Sequence, residues 1–158
     1  MSSGLIVGRF NPPHLGHSHL IESAAAQVDQ LVVFVNTRDG EVVPGELRAD
    51  WLAQLHPDVT VVEVRHDLDT DFDDEDLWQK WIALFKARWP LDEGPDVYFS
   101  SEAYGAEIAR RLGAQAVDVD PERVAVPISA TMIREDPRAH LDRLAPPVRA
   151  WVTDHLLG

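Results

Sequence analysis

The sequence predicts an α/β fold of three layers, with helices on both faces of a five-stranded and mainly parallel sheet. Short apolar runs alternate with segments of helical period along the whole chain. The run Leu31–Val35 is continuously apolar and β-branched, which is typical of a parallel strand covered on both faces. No repeat or inter-domain linker interrupts the 158 residues, so we expect residues 1–158 to form a single domain. The predicted strands are Leu5–Val7, Leu31–Val35, Val59–Val64, Val97–Ser100 and Ala116–Val119.

Helices are predicted between these strands. They span residues 16–29, 46–56, about 74–89 and 103–112, with a loop over 36–45 and mostly helical structure in the last forty residues. Pro90 stops the third helix, and Gly113 is placed as the C-terminal cap of the fourth. Ligands of such sheets bind beyond the carboxyl ends of the strands, so residues that follow different strands should converge there.

Composition narrows the classes of function. The formal net charge of −13 argues against a broad nucleic-acid surface, which needs clustered Lys and Arg. A phosphate-bearing ligand would need a local positive pocket or a divalent cation. The absence of cysteine excludes disulfides, thiolate metal sites and a cysteine nucleophile. The sequence has no apolar run as long as a membrane span and no signal-peptide pattern, so we expect a cytoplasmic protein with no membrane partner.

The segment from Gly8 to His17 carries the strongest chemical signal. It follows the first predicted strand and opens a helix, where backbone N–H groups and the positive helix end favour phosphate. His14 and His17 add directional donors that carry positive charge when protonated. Gly8 lets the backbone approach a ligand closely, and Gly16 lies where a side chain would crowd anything placed on the helix end. His19 faces elsewhere and receives no role.

A second motif lies near the other end of the chain. Ser129, Thr131 and Arg134 place two hydroxyls and a guanidinium within about one helical turn. The alternative interpretation of Ser129 is an ordinary helix cap, which is compatible with phosphate binding nearby. The two motifs together indicate chemistry on a nucleoside triphosphate.

Several other sites are excluded. There is no G-x-x-x-x-G-K-[ST] loop and no G-x-G-x-x-G after a strand, so neither a P-loop kinase nor an ordinary dinucleotide-binding dehydrogenase fits. Zinc is disfavoured because His14 and His17 have no third ligand in sight, and no metal ligand is predicted. The acidic segment 67–76 fails as a calcium loop because Phe72 and Trp78 occupy the positions that need glycine and glutamate. It is predicted to be a solvated loop.

These motifs resemble the nucleotidyltransferase superfamily defined by H-x-G-H and I-S-x-T-x-x-R. The chain is most similar to nicotinamide mononucleotide (NMN) adenylyltransferases, both the archaeal type and the adenylyltransferase domain of the bifunctional bacterial NAD-biosynthesis regulator. The resemblance implies a Rossmann-like nucleotidyltransferase fold and covers nearly the whole length in order. The residues that carry it are Gly8–Phe10, His14, His17, Asp76–Trp78, Ser101–Glu102, Val119–Arg123 and Ile128–Arg134.

The resemblance implies a set of residue roles. The catalytic residues would be His14, His17 and Arg134, which stabilise charge on the triphosphate. ATP and phosphate would be bound by Gly8, Arg9, Phe10, Asn11, Arg123, Ser129 and Thr131. The pyridine nucleotide would be bound by Trp78, Ser101, Glu102 and Asp120. Trp78 would stack on the pyridine ring, with Trp81 as the alternative and core packing as an equally good explanation of both. For Arg123 the alternative is a surface ion pair.

The expected reaction transfers the adenylyl group of ATP to NMN, giving NAD and pyrophosphate, with Mg²⁺ bound to the triphosphate as cofactor. Nicotinate mononucleotide is the nearest alternative acceptor, and selectivity between the two rings is left open. Phosphopantetheine is disfavoured, because that related family typically has threonine where this chain has His14. A non-catalytic NAD-sensing module is a further alternative, which the intact His14, His17 and Arg134 disfavour. Relatives form assemblies, so a homo-oligomer stays open.

Overall fold

The computed structural model describes residues 1–157 and confirms the predicted α/β class. Five strands form one parallel sheet in the order β3-β2-β1-β4-β5. The elements are β1 (Ser3–Gly8), α1 (Leu15–Ala25), β2 (Gln30–Thr37), α2 (Gly45–Leu55), β3 (Thr60–Arg65), α3 (Glu75–Arg88), β4 (Val97–Ser100), α4 (Gly105–Leu112), β5 (Gln115–Asp118), α5 (Ala130–Glu135), a 3₁₀ helix (Pro137–Arg143) and α6 (Pro146–Leu156).

The first helix and the second strand end at other residues than predicted, because their backbone amides bond to partners elsewhere in the chain. The first helix ends four residues earlier than predicted, because the amides of Asp29 and Gln30 bond to the Ser2 carbonyl and enter the sheet. The second strand runs two residues further, since Asn36 and Thr37 pair with β3. The predicted loop after it is correspondingly shorter. The hydrophobic periodicity of the sequence carries no information about these hydrogen-bond partners.

Both faces of the sheet are buried, as the apolar strands predict. Neighbouring residues of β1 point to opposite faces, so that Leu5 belongs to one core cluster and Ile6 to the other. The Ile6 cluster includes Ile21 of α1, while the Leu5 cluster includes Phe85 of α3. A third cluster joins Trp51 of α2 to the carboxyl-terminal helices. The architecture is therefore three-layered, with an additional helical unit at one end.

The strand order fixes where a ligand can bind. The chain proceeds from β1 to β2 and β3 on one side, and then crosses to β4 and β5 on the other. In open parallel sheets this change of direction leaves a crevice beyond the carboxyl ends of the central strands. Here the crevice lies past Gly8, where β1 leads into the His14 loop.

Within residues 1–157, no helix is long and apolar enough to cross a membrane.

Candidate active site

A cavity of about 620 Å³ opens at the carboxyl edge of the sheet. It brings together residues from both ends of the chain, which confirms that the two motifs converge on one site. Every site residue predicted from the sequence lines it except Asp120. The residues that do so are Gly8, Arg9, Phe10, Asn11, His14, His17, Trp78, Ser101, Glu102, Arg123, Ser129, Thr131 and Arg134.

Reciprocal hydrogen bonds fix the two histidines. His14 is the N-cap of α1, and its Nδ1 accepts from the backbone amides of Gly16 at 3.0 Å and His17 at 3.3 Å. In return, Nδ1 of His17 accepts from the amide of His14 at 3.1 Å. This is the geometry of a capping box, built with imidazoles in place of hydroxyl and carboxylate groups. Because both Nδ1 atoms accept, each neutral ring carries its proton on Nε2.

The rings are tightly packed, and one donor has no partner. The centroids of His14 and His17 lie 3.7 Å apart in a stacked arrangement, and the ring of Phe10 meets His17 edge-on at 4.6 Å. Gly16 makes room for the His14 ring, since a Cβ there would lie 2.8 Å from its Cε1. The glycine therefore leaves room for the histidine ring. Nε2 of His14 is buried without a hydrogen-bond partner, at a cost of about 1–3 kcal/mol that a ligand oxygen would relieve.

The histidines are neutral donors, so the positive charge of the site comes from elsewhere. Burial, and then the Arg123 guanidinium, lower the pKa of His14 from 6.5 to about 3. Burial, followed by the charges of His14 and Arg123, also holds the pKa of His17 well below its usual range. The amides of Gly16 and His17, which were expected to face phosphate, are already bonded to His14. The imidazole Nε2–H groups take their place as donors.

Three guanidinium groups supply the positive charge. Arg134 donates to the Asn11 carbonyl at 2.6 Å and to the Thr131 hydroxyl at 3.3 Å, which ties α5 to the histidine loop. Burial, and then the neighbouring charge of Arg9, lower the pKa of Arg134. Neither Arg9 nor Arg134 has an ion-pair partner within residues 1–157. In a chain of net charge −13, two such groups in one cavity mark a place for an anion.

For Arg123 the alternative interpretation, an ion pair, is confirmed. Arg123 lines the cavity and also forms an ion pair with Glu102 at 3.0 Å, while donating to the Ile128 carbonyl at 3.2 Å. Asp120, by contrast, does not reach the cavity. Both oxygens of its carboxylate accept backbone amides, from Val124 and Ala125, each at 2.9 Å. Asp120 therefore holds the turn that carries Arg123, and its contact with the pyridine nucleotide stays a prediction.

Backbone strain accompanies the site. Phe10, Asp120 and Arg123 have φ angles of 51°, 45° and 56°, which is left-handed backbone that residues other than glycine rarely adopt. Two of these three residues line the cavity. Such conformations persist only where the surroundings enforce them, and they are concentrated at functional sites.

Ser129, Trp78 and Trp81 already take part in hydrogen bonds within the protein. The Ser129 hydroxyl accepts from the Met132 amide at 3.2 Å and so caps α5, as its ordinary interpretation required. Trp78 and Trp81 both line the cavity, and both indole N–H groups are already used, by the carbonyls of Phe72 and Asp69. The cavity therefore does not by itself choose between the two tryptophans.

Arg48 is the important residue that sequence analysis missed. Its side chain is only 1% exposed, and it donates to the Arg9 carbonyl at 2.7 Å, the Asn36 carbonyl at 3.3 Å and the Glu41 carboxylate at 2.8 Å. The guanidinium thereby ties the histidine loop to the end of β2. A signal was present, because Arg48 lies at helical spacing with Trp51 on the buried stripe of α2.

No group of three or more His, Cys, Asp or Glu side chains within residues 1–157 is arranged to hold an ion. The acidic loop 67–76 instead makes local contacts, such as the Asp74 carboxylate that accepts the Leu77 amide at the start of α3.

The fold and this cavity define a nucleotide-binding domain of the nucleotidyltransferase class. The model of the cytidylyltransferase-like family matches residues 5–42, which contain the histidine motif. The chain thus contains a cytidylyltransferase-like segment, and it is homologous to proteins of NAD biosynthesis. The resemblance drawn from its motifs is therefore confirmed.

Two groups of relatives support this assignment. The chain is 32% identical to the trifunctional NAD biosynthesis/regulator protein NadR of Escherichia coli, in a match that covers 85% of this chain and 36% of NadR. It is 27% identical to the nicotinamide-nucleotide adenylyltransferase of Thermococcus kodakarensis, covering 83% of this chain and 70% of that enzyme. The chain thus spans about a third of the length of NadR.

Solved structures agree on the fold. A NadR crystal structure in complex with NR superposes with a TM-score of 0.69 at 23% identity, covering 90% of this chain and 43% of the other. A putative nicotinate-nucleotide adenylyltransferase from Vibrio parahaemolyticus gives a TM-score of 0.57 at 17% identity, covering 96% and 99%.

Replacing Arg48 with Met should lower the free energy of unfolding by about 3–5 kcal/mol, because Glu41 and two carbonyls would lose their buried partner. Arg65→Met is the matched control, since the Arg65 side chain is 61% exposed and its ion pairs should contribute at most about 1 kcal/mol. Urea unfolding of both variants measures the difference. Equal losses would show that the buried guanidinium has no special structural role.

The lowered pKa of His14 predicts how stability depends on pH. Below pH 6.5 the unfolded chain protonates this imidazole while the folded protein resists until about pH 3, so stability falls as the pH is lowered. This group contributes a slope of up to about 1.4 kcal/mol per pH unit. His14→Asn retains a capping side chain but cannot titrate. Urea unfolding between pH 7 and 5 should show a shallower slope for His14→Asn than for the wild type; identical slopes would refute a depressed pKa.

Proposed function

We propose that the chain transfers the adenylyl group of ATP to nicotinamide mononucleotide, releasing NAD and pyrophosphate. The observation that carries the proposal is the unpartnered Nε2–H of His14, buried in a cavity that also holds the unpaired guanidiniums of Arg9 and Arg134. Neutral donors and fixed cations together suit the oxygens of a triphosphate. The kinship with nicotinamide-nucleotide adenylyltransferases supports the choice of acceptor.

The proposed reaction requires that the two substrates are positioned and that the developing charge is stabilised. It does not require a nucleophilic side chain. A phosphate oxygen of NMN attacks the α-phosphorus of ATP in line, and the bond from that phosphorus to the bridging oxygen breaks. The electron pair of that bond leaves on pyrophosphate. Because a phosphate monoester is already an anion near neutral pH, no strong general base is needed. No covalent intermediate with the protein is formed.

The geometry supports distinct roles for the side chains that line the cavity. His14 and His17, as neutral Nε2–H donors, would bind the α-phosphate and the bridging oxygen, where negative charge develops. Arg134 and Thr131 already touch one another and would hold the outer phosphates together with Ser129. Arg9 would bind phosphate of one or both substrates, and Gly8, Phe10 and Asn11 would shape the loop around them. Arg123 would reinforce the charge beside the histidines.

We also propose that a magnesium ion binds together with ATP. The ion would be held mainly by triphosphate oxygens and water, because magnesium keeps much of its hydration shell and the described residues offer no cluster of carboxylates for it. Bound in that way, it would neutralise part of the negative charge of the triphosphate. The side chains of the cavity hold the phosphates themselves.

The proposal is tested by product formation. The protein is incubated with ATP and Mg²⁺ and, in separate reactions, with NMN, nicotinate mononucleotide or phosphopantetheine. We expect chromatography to show a dinucleotide and pyrophosphate from NMN and no product from phosphopantetheine. If neither pyridine nucleotide yields a dinucleotide, adenylyl transfer to NMN is refuted. The non-catalytic NAD-sensing alternative then predicts NAD binding without turnover.

His17→Ala should separate catalysis from folding. Removing one donor to developing phosphate charge is expected to lower kcat about 10²–10³-fold. The thermal midpoint should fall by only a few degrees, because the loss is one capping hydrogen bond and some ring packing. His19→Ala is the control, since His19 lies on the same helix but does not line the cavity. Collapse of turnover and thermal midpoint together in His17→Ala alone would make the histidine structural.

A further inference from the structure

Glu102 places a carboxylate beside one of the guanidinium groups that we assign to phosphate. It lies in the turn between β4 and α4, lines the cavity, and pairs with Arg123 across 3.0 Å from Oε1 to Nη2. Within residues 1–157, neither Arg9 nor Arg134 has such a carboxylate partner. The predicted contact of Glu102 with the pyridine nucleotide does not explain this pairing, because a carboxylate beside a phosphate site opposes the binding of an anion.

The backbone holds Glu102 in this position. Its amide donates to the Ser100 hydroxyl at 2.8 Å, and its carbonyl accepts the amide of Gly105 at 3.1 Å. Gly105 also packs closely on this turn, since a Cβ there would lie 2.7 Å from the Cβ of Ser100. Hydrogen bonds therefore restrain the turn on both sides of Glu102, and the carboxylate extends from a fixed point of the fold.

Arg123 stands on a turn that is restrained in the same way. Its amide donates to the Asp120 carbonyl at 2.9 Å, and the Asp120 carboxylate accepts the two amides that follow Arg123. On the side chain, Nη1 donates to the carbonyl of Ile128 at 3.2 Å, immediately before the N-cap Ser129 of α5. The guanidinium thus joins Glu102 to the start of the second phosphate motif.

The charge of Arg123 reaches the two histidines. After burial, it is the next cause of the lowered pKa of His14. It also contributes to the lowered pKa of His17, after burial and the charge of His14. Arg123 therefore lies near the Nε2–H donors to which we assign phosphate oxygens. A phosphate bound at these donors and the carboxylate of Glu102 would face the same guanidinium.

Two anions that share this guanidinium repel one another. The Arg123 and Glu102 side chains are 37% and 48% exposed, so water screens that repulsion only in part. A phosphate offers several charged oxygens, and it therefore attracts a guanidinium more strongly than one carboxylate oxygen does. Because the bond to the Ile128 carbonyl uses Nη1, the Nη2 group can exchange its partner while Nη1 keeps its own.

We propose that Glu102 is a positioning residue that keeps Arg123 in a resting ion pair, and that the triphosphate displaces this carboxylate when ATP binds. The inference rests on the proposed function and adds to it a residue that opposes phosphate binding. Because each phosphate ligand must replace the ion pair, ATP and pyrophosphate bind less tightly than the guanidinium groups alone would allow. The ion pair forms again when pyrophosphate leaves.

Calorimetric titration with ATP and Mg²⁺ or with pyrophosphate and Mg²⁺ measures this competition in the absence of the pyridine substrate. Glu102→Gln keeps the size of the side chain and removes its charge. It should lower the Kd of both ligands about threefold to fivefold, which is the range for an ion pair of this exposure. Glu102→Asp keeps the charge but is shorter by one methylene group, so it cannot reach Nη2 from the same turn. It should lower both Kd values about twofold.

Two further comparisons separate the ion pair from a general effect of charge. In an Arg123→Gln background, the gain in affinity from Glu102→Gln should fall below about twofold, because no guanidinium is left to release. Glu107→Gln is the matched control, since Glu107 pairs with Arg110 and Arg111 on α4 but does not line the cavity. It should leave both Kd values unchanged. Thermal midpoints near that of the wild type exclude misfolding as the cause.

Several outcomes would overturn the proposal. Weaker binding by Glu102→Gln would mean that the carboxylate directs Arg123 towards the phosphate. An equal gain with and without Arg123, or no gain in Glu102→Asp, would mean that only the net charge matters. In turnover assays, the KM for ATP and the inhibition constant of pyrophosphate should fall together in Glu102→Gln, while kcat does not rise.

The titrations also separate this inference from the proposed function. If the wild type forms no dinucleotide, adenylyl transfer to NMN fails, and the Kd values for pyrophosphate still measure the competition for Arg123. Tighter binding by both Glu102 variants would then support the resting ion pair without turnover. Binding of neither ATP nor pyrophosphate by the wild type would refute both proposals.

Discussion

The reciprocal hydrogen bonds between His14 and His17 organise the whole site. Each Nδ1 accepts a backbone amide of the same turn, so the first turn of α1 is closed and both rings are fixed in one tautomer. The Nε2–H groups that result are the donors of the cavity, and burial keeps them neutral. A helix end that would otherwise offer backbone amides to phosphate offers imidazole donors in their place. These reach further from the helix axis, and stacking holds them in position.

This arrangement also explains how a strongly acidic chain accommodates an anion. The neutral imidazole donors need no counter-charge. The cations of the cavity are few, and hydrogen bonds or ion pairs hold most of them in place. Arg134 donates to a carbonyl of the histidine loop, and Arg123 pairs with Glu102. Arg48 donates to the backbone carbonyl of Arg9. Many of the acidic residues collect in the loop before α3.

Sequence analysis found most of the site because its residues follow strands or begin helices. Patterns of that kind are local, and the rule that ligands bind beyond parallel strands brings them together. It did not anticipate the structural role of Asp120, because a carboxylate close to a motif can equally serve the backbone, and only the folded turn shows its two amide partners. It missed Arg48 because a charged residue on an apolar stripe is ordinarily placed at the surface. It considered Phe72 only as a departure from a calcium loop, and the contact of this ring with Tyr104 joins two connections that are distant in sequence.

The sequence by itself determined the α/β class, the parallel sheet, the two phosphate-directed motifs and the family, since each depends on periodicity or on spacing within a few residues. The tertiary structure decided the protonation of the histidines, the pairing of Arg123 and the exclusion of Asp120 from the cavity. These properties depend on burial and on partners as far as 123 residues away along the chain, as in the bond from Arg134 to Asn11. Such distances become contacts only when the sheet has formed.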